Sequence, residues 1–256
     1  ARFINNINLF TNMAEEKKKV INFVETKNIS MKGYTLIEGF PDLGLAGTIG
    51  SRYLIDKLKM ERVGYISSPL FLPIIRIHEG VPMHPVRIYV SKKHKLAVVL
   101  AEQIIDNRMS HVVAKELVEW VKKKGIKRVI STSGIKVPGG KDVYAFASDN
   151  ASKIAIKKAK FEMIKDGVTS GVTALLMLYL KDNKVEAFCL LGNAKNNADY
   201  HAAAGIVKAF CKLTGICLDV KPLLAEAKKL EDAIVKHLKT LETKKETKVG
   251  RTPMYT

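Results

Sequence analysis

The sequence predicts an α/β fold: a mostly parallel mixed sheet covered by helices on both faces, with an antiparallel hairpin inserted. Three observations carry this. Strand-like apolar runs alternate with helical stretches along most of the chain. Leu96–Ala101 is continuously apolar, as a strand buried on both faces must be. The run Tyr34–Ile37, the glycine-rich stretch Glu38–Gly50 and the helical run Ser51–Leu58 succeed one another as strand, turn and helix. That layout binds phosphate in many α/β proteins.

The elements follow in order. Val20–Val24 alternates in part and reads as a first strand, and Glu61–Ser67 as the strand after the opening helix. Leu72–Glu79 and Val86–Val90 flank Gly80–Pro85, which predicts a hairpin with a proline-rich loop. Ser110 is the expected N-cap of a helix from His111 to Lys124, with Val112, Val113, Leu117, Trp120 and Val121 on its apolar face and Gly125 as its stop. Lys127–Ile130 reads as a strand closed by Ser131–Gly134, and Val143–Ala147 as a short strand after the Gly139–Gly140 turn. Asp149–Lys160 is a helix, Phe161–Asp166 a short strand, Gly171–Leu180 a small helix and Glu186–Leu191 a buried strand. Asp199–Leu213 is an alanine-rich helix. The expected organisation is a loose leader (1–19), an α/β domain (20–221), a C-terminal amphipathic helix (222–242) and a flexible basic tail (243–256). Met13 would also serve as a translation start.

The 256 residues, 47% hydrophobic and 27% charged, are enough for one large core. No apolar run approaches the roughly 20 residues of a membrane span, and the first residues lack the apolar core of a signal peptide. The expected location is the cytoplasm. The three cysteines, Cys189, Cys211 and Cys217, have neither disulfide-framework nor metal spacing, so no metal is expected. The net charge is +18 and the pI about 9.7. The lysines are spread over helical stretches and the tail, with no arginine–aromatic interleaving and no nucleic-acid module. A solvated basic surface is the plainer reading, with an acidic protein partner as the next.

Few groups are placed for chemistry. The glycines fall as Gly44-x-x-Gly47-x-x-Gly50, which is not a dinucleotide fingerprint, and no lysine follows as in a P-loop. Packing of helix on sheet explains them as well as a ligand does. Asp42 suits acid–base work or a turn. Ser131, Thr132, Ser133 and Gly134 end a presumed central strand, where ligands of open α/β sheets gather. Asp42, Gly44 and Ser131–Gly134 therefore form the candidate ligand crevice. The six histidines are scattered, with His78 and His84 sharing the hairpin and His201 at a helix entrance. Glu102 and Asp106 follow a buried strand and could form a carboxylate pair, but nearby Arg108 makes an ion-pair network the simpler account. No Gly-x-Ser-x-Gly elbow is present. The specific signal is Met254-Tyr255-Thr256 at the end of the sequence. A hydrophobic residue, a tyrosine and a terminal residue can plug a pocket, with the carboxylate seeking a lysine.

The stretch Glu38-Gly39-Phe40-Pro41-Asp42-x-Gly44-x-Ala46-Gly47 resembles the start shared by archaeal and bacterial relatives of the eukaryotic proteasome assembly chaperones. The small-residue turn Thr132-Ser133-Gly134, the helix entry Gly167–Gly171 and the alanine-rich Ala202–Ala204 extend that resemblance over roughly Val20 to Thr240. It implies a three-layer α/β/α sandwich, nucleoside-phosphorylase-like, with no cofactor. Some archaeal members end in a hydrophobic-Tyr-any motif that inserts between proteasome α subunits, and Met254, Tyr255 and Thr256 match it position by position.

The expected function is thus a non-enzymatic proteasome-binding protein, an assembly chaperone homologue or ATP-independent activator. Its oligomers would present several tails to the α ring, gaining by effective concentration. The alternative is a small-molecule enzyme acting on nucleosides or phosphate, or an ATP-grasp-like ligase, using the crevice near Asp42 and Ser131–Gly134. Nucleic-acid binding through the basic surface is a third reading.

Overall fold

The computed structural model describes residues 20–229. The expected leader, the tail with Met254–Thr256 and the helix beyond residue 229 lie outside the described residues. Residues 221–229 are helical.

The chain begins with β1 (Asn22–Glu25), β2 (Thr35–Gly39), α1 (Ala46–Lys57) and β3 (Glu61–Ser67). Next come β4 (Arg76–His78), β5 (Val81–Met83), β6 (Val86–Ser91), β7 (Leu96–Ala101) and α2 (Asn107–Lys123). The remainder is β8 (Arg128–Ile135), β9 (Val143–Ala147), α3 (Asn150–Lys158), β10 (Glu162–Met163), α4 (Gly171–Asp182), β11 (Glu186–Asn193) and α5 (Tyr200–Thr214). The main sheet has 9 strands in the order β1-β3-β6-β7-β2-β8-β11-β9-β10. Its centre, β7-β2-β8-β11, is parallel, and so is the pair β9-β10. The pairs β1-β3, β3-β6, β6-β7 and β9-β11 are antiparallel.

Two apolar clusters sandwich this sheet. Alternate residues of each strand point to opposite faces. Leu36, Val99, Val129 and Cys189 meet Val113 and Leu117 of α2 and Leu176 of α4 on one face. Ile37, Val98, Ile130 and Leu190 meet Leu54 of α1, Ile156 of α3 and Ile206 of α5 on the other. The result is the three-layer α/β/α sandwich. Because both faces are covered, all six residues of β7 are buried.

Three local expectations are corrected. The hairpin pairs β4 with β5 as a separate two-stranded sheet, while Val86–Ser91 joins the main sheet between β3 and β7. Glu79 and Gly80 make its turn with φ of 50° and 77°. Two consecutive positive φ values match the right-handed strand twist and allow a two-residue loop. Pro82 is tolerated because this small sheet has only edges. Second, Asp106, not Ser110, caps α2: its carboxylate accepts from the Arg108 amide at 2.9 Å, and Ser110 is buried inside the helix. Third, Ser131–Gly134 do not close β8. They stay in the ladder, opposite Cys189–Gly192 of β11. Among the described residues, no helix is long and apolar enough to cross a membrane.

Candidate functional site

Expected site residues converge where the β2–α1 turn crosses β8. After Gly39 the chain turns through Phe40–Asp42 and a short 3-10 turn, Leu43–Leu45. Gly44 and Leu45 both take positive φ, 67° and 49°. Gly44 tolerates this because it lacks Cβ. A side chain there would also meet the Ala194 Cβ at 2.5 Å. Asp42 ties the turn at two points: its carboxylate accepts from the Leu43 amide at 2.7 Å and from the Ser133 hydroxyl.

The sheet below fits this turn closely. A Cβ on Gly134 would lie 1.8 Å from the Leu43 carbonyl oxygen. One on Gly47, in the first turn of α1, would lie 2.4 Å from the Thr132 carbonyl oxygen. Backbone therefore rests directly on backbone. Thr132 donates to the Glu38 carbonyl oxygen at 2.8 Å, joining β8 to β2. Asp42, Gly44 and Ser131–Gly134 are thus brought together, and Ser131, Thr132 and Ser133 are buried.

Glu38, which the sequence analysis quoted without a role, is the charged group at the heart of this joint. It is fully buried. Its Oε1 accepts from the Phe40 amide at 3.0 Å, and its two oxygens lie 3.1 and 3.2 Å from the Thr173 hydroxyl in the first turn of α4. Burial raises its pKa to about 7. The Phe40 amide and the Ser131 and Thr173 hydroxyls offset part of that rise, and Asp42 adds to it. Ser131 sits close enough to favour the anion but makes no hydrogen bond of ordinary length. The signal was visible: a carboxylate stands in an otherwise apolar strand, Leu36-Ile37-Glu38.

The second polar assembly matches the expected ion pairing at Asp106 and departs from it at Glu102. Asp106 pairs with Arg108, which holds its carboxyl well below the ordinary range. Glu102 pairs elsewhere, with the guanidiniums of Arg52, Arg76 and Arg87, the last 1% exposed. Arg87 also donates to the Tyr89 hydroxyl at 2.7 Å and the His84 carbonyl oxygen at 2.8 Å. Among the described residues no cluster of His, Cys, Asp and Glu could hold a metal ion, and His84 stacks on Tyr65 at 3.7 Å between ring centroids.

This architecture recurs in solved structures. Crystal structures of PbaA from Pyrococcus furiosus, described as an archaeal homolog of proteasome-assembly chaperone, include one at TM-score 0.82 with 26% identity, covering 93% of this chain and 100% of that one. PbaB of the same organism, described as an archaeal proteasome activator, superposes at TM-score 0.73 with 23% identity over 85% of this chain and 98% of its own, a likeness of fold. The protein MJ0106 of Methanocaldococcus jannaschii is 26% identical over 226 residues, 86% of this chain and 94% of that protein. The model of the PAC2 family matches residues 36–238, from the β2 strand through the joint and beyond the last described helix, and the chain belongs to that family.

Proposed function

We propose that the chain is a non-enzymatic proteasome-binding protein of the cytoplasm, acting as an assembly chaperone homologue or an ATP-independent activator. The observation that carries this reading is the likeness to PbaA over nearly the whole chain. The tail supplies the contact. Met254 and Tyr255 fill an apolar pocket between α subunits, and the Thr256 carboxylate meets a lysine there. A homo-oligomer presenting several tails raises the weak affinity of each through effective concentration. In this reading Asp42, Gly44 and Ser131–Gly134 are the joint that fixes α1 on the sheet, in place of a ligand crevice.

The test is co-purification with proteasome α subunits, using the chain ending at Thr256. Deleting Met254–Thr256, or Tyr255→Ala, abolishes it and leaves the circular dichroism spectrum unchanged. Retention of binding by both variants refutes tail docking.

A further inference from the structure

A groove of about 620 Å3 runs between α1 and the β4–β5 hairpin. Its walls carry five cations, Arg52, Lys59, Arg62, Arg76 and Arg87, against two carboxylates, Asp56 and Glu79. Behind them the single Glu102 carboxylate is shared by three of the arginines. Arg52 reaches Asp56 as well, at 3.8 Å. Lys59 and Arg62 make no ion pair among the described residues, and both are exposed. The groove is therefore short of negative charge. Low-dielectric walls such as Ile55, Met60, Met83 and Leu100 sharpen the field inside it.

The hairpin also displays aliphatic side chains. Val81 lines the groove and is 60% exposed, whereas Ile75 and Ile77, 64% and 67% exposed, alternate with Arg76 and His78 and so lie on the hairpin's other face. A two-stranded hairpin is marginal in water on its own. This one stands apart from the main sheet and displays side chains that a free surface would not favour.

We propose that this groove is a docking site for an acidic, amphipathic peptide segment of a partner protein. Its carboxylates meet Lys59, Arg62 and the exposed parts of Arg52 and Arg76, and its apolar side chains cover Val81 and Met83. Charge complementarity selects this occupant. A second copy brings net charge +18 to an already cationic groove. A nucleic acid would match the cations but leave Val81 and Met83 uncovered. The site is independent of the tail and of the proteasome reading.

The experiment is fluorescence anisotropy on the full chain with two labelled probes, a short peptide of repeating Leu-Glu-Asp and one of repeating Leu-Lys-Gln. The acidic probe binds, the basic probe does not, and added salt weakens binding. The double variant Lys59→Glu, Arg62→Glu lowers affinity about tenfold or more, as two reversed exposed charges require. Val81→Asn, which removes apolar surface without changing charge, lowers it too, which a purely ionic contact would not predict. These residues are exposed, so each variant retains its fold, checked by thermal melting. Four results overturn the proposal: no binding of the acidic probe, equal binding of both probes, affinity unchanged in the double variant, or a random-sequence DNA duplex bound more tightly than the acidic peptide. Self-association that Val81→Asn abolishes, without peptide binding, overturns it in favour of a second copy.

Discussion

Replacing Glu38 by glutamine changes how stability depends on pH. In the unfolded chain a glutamate titrates near 4.5, and in the folded protein this one titrates at about 7. The fold thus holds the proton more tightly than the unfolded chain does. Below about pH 4.5 the carboxyl is neutral in both states and contributes no penalty. As pH rises toward 7 the unfolded chain ionises first and is favoured, so stability falls; above about 7 the loss is complete. The gap between the two values corresponds to roughly 3 kcal/mol. Glutamine has the same shape, can accept from the Phe40 amide and can donate to the Thr173 hydroxyl, and it does not titrate. The wild type and Glu38→Gln are compared by urea unfolding at steps from about pH 4 to 8, with linear extrapolation to water. The variant gains roughly 3 kcal/mol relative to wild type across that range, because other titrating groups cancel in the difference. A difference that stays flat with pH refutes the reasoning, and one that falls shows that the fold prefers the anion.

Two further substitutions test the packing and the charge cluster. Glu102→Gln leaves the buried Arg87 guanidinium without its counter-charge and costs about 3 kcal/mol, at the low end for a broken buried pair because Arg52 and Arg76 reach solvent; a loss below about 1 kcal/mol by urea unfolding shows that solvent already compensates the cluster. Gly47→Ala forces α1 away from Thr132 and lowers stability by about 1–3 kcal/mol, whereas Gly50→Ala, whose Cβ would sit 3.5 Å from the nearest atom, is neutral or gains up to about 1 kcal/mol from helix propensity. Equal thermal shifts for the two variants would mean that the close approach at Thr132 is easily relaxed.

Much of the fold was legible because it is written in local pattern. The bounds read for β3, Glu61–Ser67, and β7, Leu96–Ala101, coincide with the observed strands, since continuous apolar or alternating runs survive any tertiary context. What the sequence hid depends on partners distant in the chain. Ser131-Thr132-Ser133-Gly134 has the composition of a turn, yet β2 and β11 flank it and the Thr132 hydroxyl finds Glu38, so it remains a strand. Ser110 and Asp106 are both good caps on residue type. The choice falls to Asp106 because the helix starts a turn earlier, where its carboxylate reaches an amide. The hairpin register was missed because Pro82 argues against a strand, and only the isolation of β4 and β5 from the main sheet removes that objection. At the joint, the sequence named Asp42, Gly44 and Ser131–Gly134 together, and the structure adds Glu38 and Thr173. Thr173 carries no local signal; α4 must fold against β2 before its hydroxyl matters.

The strand order also bears on how the protein is made. The half-sheet β1-β3-β6-β7-β2 comes entirely from residues 22–101, and β8, β11, β9 and β10 come from residues 128–193. A chain emerging from the ribosome can complete the first half alone, but β2 then has an open edge until β8 arrives. The apolar side of α1 waits longer, for α5 to pack beside it on the sheet. At ordinary synthesis rates the interval between Ala101 and Thr214 is roughly 5–20 s. During that time the nascent chain displays a pairing-competent strand and an uncovered helix, and ribosome-stalled chains ending before and after Thr214 would differ in protease resistance at α1. A protein proposed to assist the assembly of others thus passes through its own aggregation-prone stage, one that only its C-terminal third ends.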